Sequence, residues 1–503
     1  MKKLFNKAVR KYLEHRYLRI ERMKADGERL QEEVLMKLLK RNRNTEIGRK
    51  YTFESLLNSS DYKEVVPIRR YEDIVEDVLR MMDGASDVLC NGTVKTYAKS
   101  SGTTNDSSKY LPMPKVMHQR NHVAASWDTM AMLYHEDESA EIFSKKSTIM
   151  GGALTTVGTA EVGDVSAILL NKMHWAGRPF FTPDFATATM GDWGEKIDRM
   201  AEICSAEPVV MVGGVPSWTM VLCQKILEHT GKNNMLEVWP TAKYYMHGGV
   251  GFEPYRDQFR RLFPSDTFRY YEVYNASEGY FAVQDSYKSD GMLLLLDNEI
   301  YYEFVKLGDI NVTKPTTLTL DQVELGVSYA IVITTAGGLW RYMVGDTIIF
   351  TSKAPYRIKV SGRTKQFINL AGEELMVANA EMAIAKTSSA LSAEVAEYTV
   401  APVPMDVGVR GHHHWVVEFK KDLPNIQDFA DKLDRALRAE NSDYDAKRSQ
   451  DLVLDRLQLT TVRKGTFHRW MQKQGKFGGQ HKVPRLSTDD RFVREIININ
   501  NNG

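Results

Sequence analysis

Cysteine is scarce in this chain: Cys90, Cys204 and Cys223 are the only three in 503 residues. So sparse and odd a set builds no disulfide framework, and no C-x-x-C pair offers a metal site. A reducing, cytoplasmic compartment is the expectation. Excess charge of one sign is missing too. Sixty-six Lys and Arg face 65 Asp and Glu, for a net +1. No global field draws such a chain to nucleic acid or to a membrane surface. Long apolar runs are also lacking. The nearest candidate, Met292 to Leu296, falls far short of the roughly 20 residues a membrane helix needs. The N-terminus has no signal-peptide core, because charges recur from Asn6 to Lys24. No internal repeat is present. Neither a nucleic-acid nor a membrane partner is therefore expected, and a monomer is the default.

What is present fits a soluble globular protein, with 43% hydrophobic and 26% charged residues. A chain this long exceeds one core, so two or more domains are expected. Residues 1–50 read as helical, ending near Asn42–Thr45. Their Leu4, Ala8, Tyr12 and Leu13 suggest a helix packed on its own domain with a solvated basic face. Lys115 to Tyr134 reads as a second long helix. Ser147 to Leu154 and Pro208 to Val212 read as buried strands running into Gly151-Gly152 and Gly213-Gly214. Met292–Leu296, Ile300–Val305, Thr316–Leu320, Ser328–Thr334 and Thr347–Phe350 read as short strands of a β-rich subdomain. Beyond Gly362-Arg363 a compact α+β pattern begins, with helices at Ala378–Ala385 and Ile426–Ala439 and strands at Glu397–Val403 and His413–Phe419. The expected architecture is α/β: a large N-terminal domain, 1–362, of mixed sheets, helices and a β-rich subdomain, and a smaller mobile α+β domain, 363–503. The polar tail at Asn500–Asn502 is expected to fray.

Four segments carry chemistry. Ser100-Ser101-Gly102-Thr103-Thr104, with Asn105 to Lys109, has six hydroxyls in ten residues. Such a loop offers donors to phosphate oxygens, although it is not a Walker A loop and also suits a solvated turn. Tyr274-Asn275-Ala276-Ser277-Glu278 follows the strand-like Thr267–Val273. A carboxylate beside a hydroxyl at a strand end suits a divalent ion on phosphates, or simply an exposed turn. Asp346, after Gly345 in what reads as a strand turn, can accept from both ribose hydroxyls or stabilise its own turn. Lys482 follows the flexible Gly478-Gly479 and is a mobile point charge or a surface basic residue. His412-His413-His414 reads as a strand start, since consecutive strand residues face opposite ways and cannot easily share one ion.

In this order the four segments resemble the adenylate-forming superfamily of acyl-CoA synthetases, peptide-synthetase adenylation domains and luciferases. Gly362-Arg363 resembles its hinge. A closer resemblance is to the plant auxin-responsive acyl-acid amido synthetases, the Gretchen Hagen family, in a bacterial-type form. It is carried by Thr45-Glu46-Ile47-Gly48-Arg49-Lys50-Tyr51, by Val66-Pro67 with Tyr71-Glu72-Asp73, by Arg341-Tyr342-x-x-Gly345-Asp346 and by Lys482-x-Pro484-Arg485. Plant members usually carry Arg where this chain has Met343.

The resemblance implies an AMP-forming acid–amino acid ligase that uses ATP and Mg2+. A small carboxylic acid becomes an acyl-adenylate, and an amino acid's amine then takes the acyl group. Ser100, Ser101, Gly102, Thr103 and Thr104 would hold phosphates. Glu278 would hold Mg2+, Asp346 the ribose, and Gly248 and Gly249 the adenine, with Tyr274, Asn275, Ala276, Ser277 and Arg363 also on the nucleotide. Lys482 and Glu278 would be catalytic, and rotation near Arg363–Lys365 would swing Lys482 in. His247 and His174 are candidates for the base that deprotonates the amine. The acyl pocket would draw on Met117–Trp127, Leu154, Val215 and Tyr301. Two alternatives stay open: transfer to coenzyme A or a carrier-protein thiol, and a catalytically silent nucleotide or acyl binder.

Overall fold

The computed structural model describes residues 2–100, 109–249, 252, 255–310, 312–364, 367–368, 375–403, 411–441, 444–445, 448, 454–475, 482–487 and 489–502. The chain divides into two compact units. The first holds residues 1–250, 258–344 and 348–359; the second holds 251–257, 345–347 and 360–503.

The first unit opens with helices at Lys2–Ala25 and Gly27–Asn42. In the first of these, Val9, Leu13, Ile20 and Met23 are buried, whereas Tyr12 is 50% exposed. Of the residues expected on the apolar face, Leu13 is buried as expected, whereas Ala8 and Tyr12 are exposed. Nor is the basic face wholly solvated. Arg10 donates to the carbonyls of Tyr134 and Ala140, and Arg16 pairs with Asp128 at 2.6 Å. These side chains clamp the first helix to the one at Ala124–Glu136.

Among the described residues, twenty strands form four sheets. Strands β1 (Thr96–Ser100), β2 (Lys109–Pro112), β4 (Thr155–Val157) and β5 (Ala160–Gly163) form one sheet in the order β2-β1-β5-β4. The large sheet takes β3 (Lys146–Thr148), β6 (Phe181–Thr182), β7 (Val209–Gly214), β8 (Tyr244–Gly248), β9 (Arg269–Ala276), β10 (Gly279–Val283), β11 (Met292–Leu294), β12 (Ile300–Lys306), β13 (Ser328–Thr335), β14 (Tyr342–Lys353) and β15 (Tyr356–Arg363). Its order is β12-β13-β14-β15-β11-β10-β9-β8-β7-β3-β6. From β6 through β3, β7 and β8 to β9 the pairing is parallel. At β10 and β11 it turns antiparallel. The parallel half is the one whose connections are helices. The strand read at Ser147–Leu154 is only β3, and the one read at Thr316–Leu320 is a single bridge between Leu318 and Phe304.

The second unit has β16 (Phe367–Ile368), β17 (Leu375–Met376) and a three-stranded sheet of β18 (Val395–Val403), β19 (His412–Phe419) and β20 (Gln458–Val462). Helices Val377–Leu391 and Ile426–Glu440 bury Ala380, Ile384, Phe429, Leu433 and Leu437 in one core with Tyr398, Val400 and Trp415. The C-terminal residues do not form a frayed tail but continue the helix Arg491–Asn502, whose Val493 and Ile496 are buried and whose Asn500 accepts from the Arg463 backbone at 2.7 Å. Among the described residues no helix is long and apolar enough to cross a membrane.

Candidate functional site

Parallel pairing fixes which strand ends meet. Gly214 pairs with His247, and Gly248 with Val273. The carboxyl ends of β7, β8 and β9 therefore share one edge of the sheet, and β3 joins them through Thr148 Oγ1, which accepts from Gly213 N at 3.1 Å. In open α/β sheets this edge is where ligands gather. Every strand here ends in small residues. A Cβ on Gly248 would lie 2.4 Å from the Val273 carbonyl oxygen, so only glycine lets β8 and β9 approach so closely.

Tyr274, Asn275 and Ala276 are the last residues of β9, not the loop after it. Ser277-Glu278 is then a two-residue turn into β10, with Ala276 opposite Gly279. Tyr274 packs against Phe281, with ring centroids 4.8 Å apart. Glu278 is buried at the turn. It supplies one carboxylate, and among the described residues no group of three His, Cys, Asp or Glu forms a cage. That donor set fits Mg2+, which takes one or two protein carboxylates and leaves its other positions to phosphates and water.

His247 is buried near the end of β8, its ring 5.3 Å from that of Tyr245. His174 lies in an exposed turn and accepts from Ala176 N. Tyr301, expected in the acyl pocket, is instead a buried core residue against Tyr62. Two residues were not singled out from the sequence, although His122 falls within the Met117–Trp127 stretch expected in the acyl pocket. His122 Nδ1 lies 3.1 Å from Asn275 Oδ1. The signal was the His118-x-x-x-His122 spacing, which puts two imidazoles on one helix face. Lys196, fully buried on the helix Trp193–Ser205, donates from Nζ to the Gly151 carbonyl at 2.7 Å. Burial pushes its ammonium down to about 8, with the Asp164 charge opposing.

Arg341 is buried in the first unit, adopts a left-handed φ of +46° and lies 2.8 Å from Glu303. It also donates to the carbonyls of Lys63 and Val66. This arginine of the family motif thus holds the fold together. Met343 lies in an apolar cluster with Val305, Ile310, Ala330 and Val332.

In the second unit, Asp346 is not in a turn. It lies inside β14, where Gly345 takes φ +94° and its carbonyl accepts from Thr364 N at 2.8 Å. Asp346 Oδ1 is 2.7 Å from Arg363 Nε. Lys482 begins a segment that runs beside β18: Val400 N donates to Arg485 O, Ser487 N to Val400 O, and Thr399 Oγ1 to Pro484 O. Arg485 caps it by stacking on Tyr398 and donating to Tyr255 Oη at 3.2 Å. Desolvation lowers Lys482 to about 8. Arg363 adds to this, while Asp346 and Glu381 oppose it. The residue keeps an exposed surface, and water there limits the shift. Ser100 ends β1. Ser101, Gly102, Thr103, Thr104, Lys365 and residues 478–481 lie outside the described residues.

In the second unit, His412 and His414 reach Gln458 and Thr460 on the neighbouring strand, while His413 stacks on Tyr444. This is the alternation expected of a strand start.

Residues 16–188 and 161–268 match the GH3 family N-terminal domain, 293–363 the GH3 family central domain, and 378–491 the GH3 family C-terminal domain. The chain belongs to the GH3 family. Among GH3 relatives, an indole-3-acetic acid-amido synthetase, GH3.4 of Arabidopsis thaliana, is 22% identical over 93% of this chain and 90% of its own length. The jasmonoyl-L-amino acid synthetase JAR4 of Nicotiana attenuata is 21% identical over 94% of each. The GH3.15 acyl acid amido synthetase superposes with a TM-score of 0.78 at 19% identity, over 95% of this chain and 94% of that one. A 2-hydroxyisobutyryl-CoA ligase shares the wider fold, with a TM-score of 0.61 at 12% identity over 95% and 93% of the two chains.

Proposed function

We propose that this GH3 protein is an ATP-dependent acyl-acid amido synthetase. The observation that carries this reading is the gathering of glycine-edged parallel strand ends with the Tyr274–Glu278 turn in a chain matched by all three GH3 domains.

In the first half-reaction a carboxylate oxygen of the acid attacks the α-phosphorus of ATP. The bond from that phosphorus to the bridging oxygen breaks, and pyrophosphate leaves. In the second, the amine of an amino acid attacks the acyl carbon. The carbon–oxygen bond to AMP breaks, the nitrogen loses a proton, and an amide forms.

In the first unit, Gly248 and Gly249 lie along adenine with Tyr274, Asn275, Ala276 and Ser277. Ser100, Ser101, Gly102, Thr103 and Thr104 donate to phosphates. Glu278 would hold Mg2+, which would supply positive charge against the phosphates. In the second unit Asp346 accepts from the ribose hydroxyls, with Arg363 fixing its carboxylate. Lys482 supplies positive charge to the α-phosphate and acyl carboxylate. We also propose that residues 363–503 act as a mobile lid. A small carboxylic acid and an amino acid as substrates, cytoplasmic residence and a monomeric state complete the reading.

The test is pyrophosphate release with Mg-ATP over a panel of aromatic and aliphatic acids, with and without mixed amino acids and coenzyme A. Acid-dependent release that ends in an amide supports the synthetase and names both substrates. Release completed only by coenzyme A moves the chain to thioester formation. ATP binding without release from any acid leaves a silent binder.

A further inference from the structure

The helix that begins at Lys115 changes pitch, winding as a π-turn from His118 to Val123. Such turns hold one extra residue and recur at functional sites. This one carries Asn121 and His122, both fully buried. Asn121 is committed to the scaffold: its amide donates to the carbonyls of Tyr280 and Asn298 and accepts from Tyr280 N. His122 is committed on one side only. With Asn275 Oδ1 as acceptor at 3.1 Å, Nδ1 carries the proton and Nε2 is a bare acceptor. That Nε2 is buried and has no partner among the described residues, and the same holds for Nε2 of His118 one turn earlier. Burial lowers His122 to about 4, Asn275 opposes, and the nearby His118 adds to the lowering. The ring is therefore neutral at physiological pH, and Nε2 keeps its lone pair. Buried imidazole nitrogens are ordinarily satisfied by the protein. An unsatisfied acceptor at His122 Nε2, with a second unpartnered ring nitrogen on the same helix face at His118, is arranged for a group that the described residues do not supply.

The position says which donor. Asn275 is half-buried at the strand end assigned above to the nucleotide, and His122 itself lies in the Met117–Trp127 stretch that the resemblance assigns to the acyl pocket. We propose that His122, held by Asn275, is a specificity-determining residue that selects an acyl acid bearing a hydrogen-bond donor, a hydroxyl or N–H, on its acyl portion. The inference rests on the synthetase reading. An acid with the donor satisfies Nε2. An acid without it seals the acceptor away from water unpaired, and sites of that kind discriminate strongly.

The test is acid-dependent pyrophosphate exchange by the full chain with amino acids left out, so that no acceptor amine supplies the donor. Hydroxy-substituted aryl and aliphatic acids are each compared with their fluoro or unsubstituted counterparts. At least one hydroxy acid is expected to exceed its counterpart in kcat/KM by about a hundredfold or more. In His122→Leu that ratio falls towards one, and in His122→Gln, which keeps an acceptor oxygen, it falls less. Exchange with no donor preference overturns the inference and leaves the synthetase intact. A preference unchanged in both variants removes His122 from selection. If His122→Leu does not fold, the wild-type ratio and His122→Gln decide. No exchange with any acid overturns both readings.

Discussion

Asp346 and Arg363 are joined by a 2.7 Å ion pair between neighbouring strands, with the aspartate far more buried than the arginine. The arginine holds the carboxylate that the proposed function turns to the ribose in a fixed orientation. Asp346→Ala is therefore expected to raise KM for ATP about tenfold, on the order of 1.4 kcal/mol, with little change in melting temperature. Isothermal titration with a non-hydrolysable ATP analogue checks this. Unchanged affinity removes Asp346 from the nucleotide site.

Lys482 must be positive to neutralise the reacting oxygens, and its ammonium is held below the usual lysine range, at about 8. Charge is present below that value and is lost as pH rises through it. The rate of pyrophosphate exchange is expected to fall at alkaline pH, as the pH rises through the lowered Lys482 value. Lys482→Ala lowers exchange by about 10²-fold or more, and its residual rate lacks the alkaline limb. A limb that survives in the variant belongs to another group.

Lys196 gives a stability prediction of definite sign. Folded, it titrates near 8; unfolded, near the ordinary 10.5. Between these values the unfolded chain holds a proton that the folded chain lacks. This group's contribution to stability therefore rises with pH from about 8 to about 10.5, by roughly 1.4 kcal/mol per unit. Urea melts of wild type and Lys196→Met at pH 7.5 and 10 should show the gap shifting in favour of wild type at the higher pH. A constant gap would mean that the buried ammonium stays charged throughout.

Arg341 touches Glu303, Thr317 and two backbone carbonyls from a buried position. Removing one partner of a buried pair strands the other. Arg341→Ala is expected to cost about 3–5 kcal/mol, read as a fall in denaturation midpoint. Soluble variant at wild-type stability would refute the anchoring role.

The glycine-ended strands and the Tyr274–Glu278 segment were legible because turns into a sheet edge leave a local mark in the sequence. Segment ends were less so: β9 absorbs Tyr274–Ala276 because its neighbours β8 and β10 supply hydrogen bonds that no local pattern reveals. Asp346 looked like a turn residue because Gly345 precedes it, yet a positive φ is also tolerated within a strand. The roles of Arg341 and Lys196 stayed hidden for another reason. Each meets partners far away in sequence, so no local pattern shows what its charge is paired with. Ala8 and Tyr12 misled because the first helix docks partly through Arg10 and Arg16.

The pitch change at His118–Val123 divides one continuous helix into two angular frames. Within it, Asn121 and His122 are phased to Tyr280, Asn298 and Asn275; after it, Asp128 and Tyr134 are phased to the N-terminal helix. Deleting a single residue inside the turn would restore uniform winding and rotate one half against the other by about 100°. Either the clamp to the first helix or the approach of His122 to Asn275 would then be lost. The spare residue thus works as a phase adjuster, letting the scaffold contacts and the strand-end contacts of one helix vary independently.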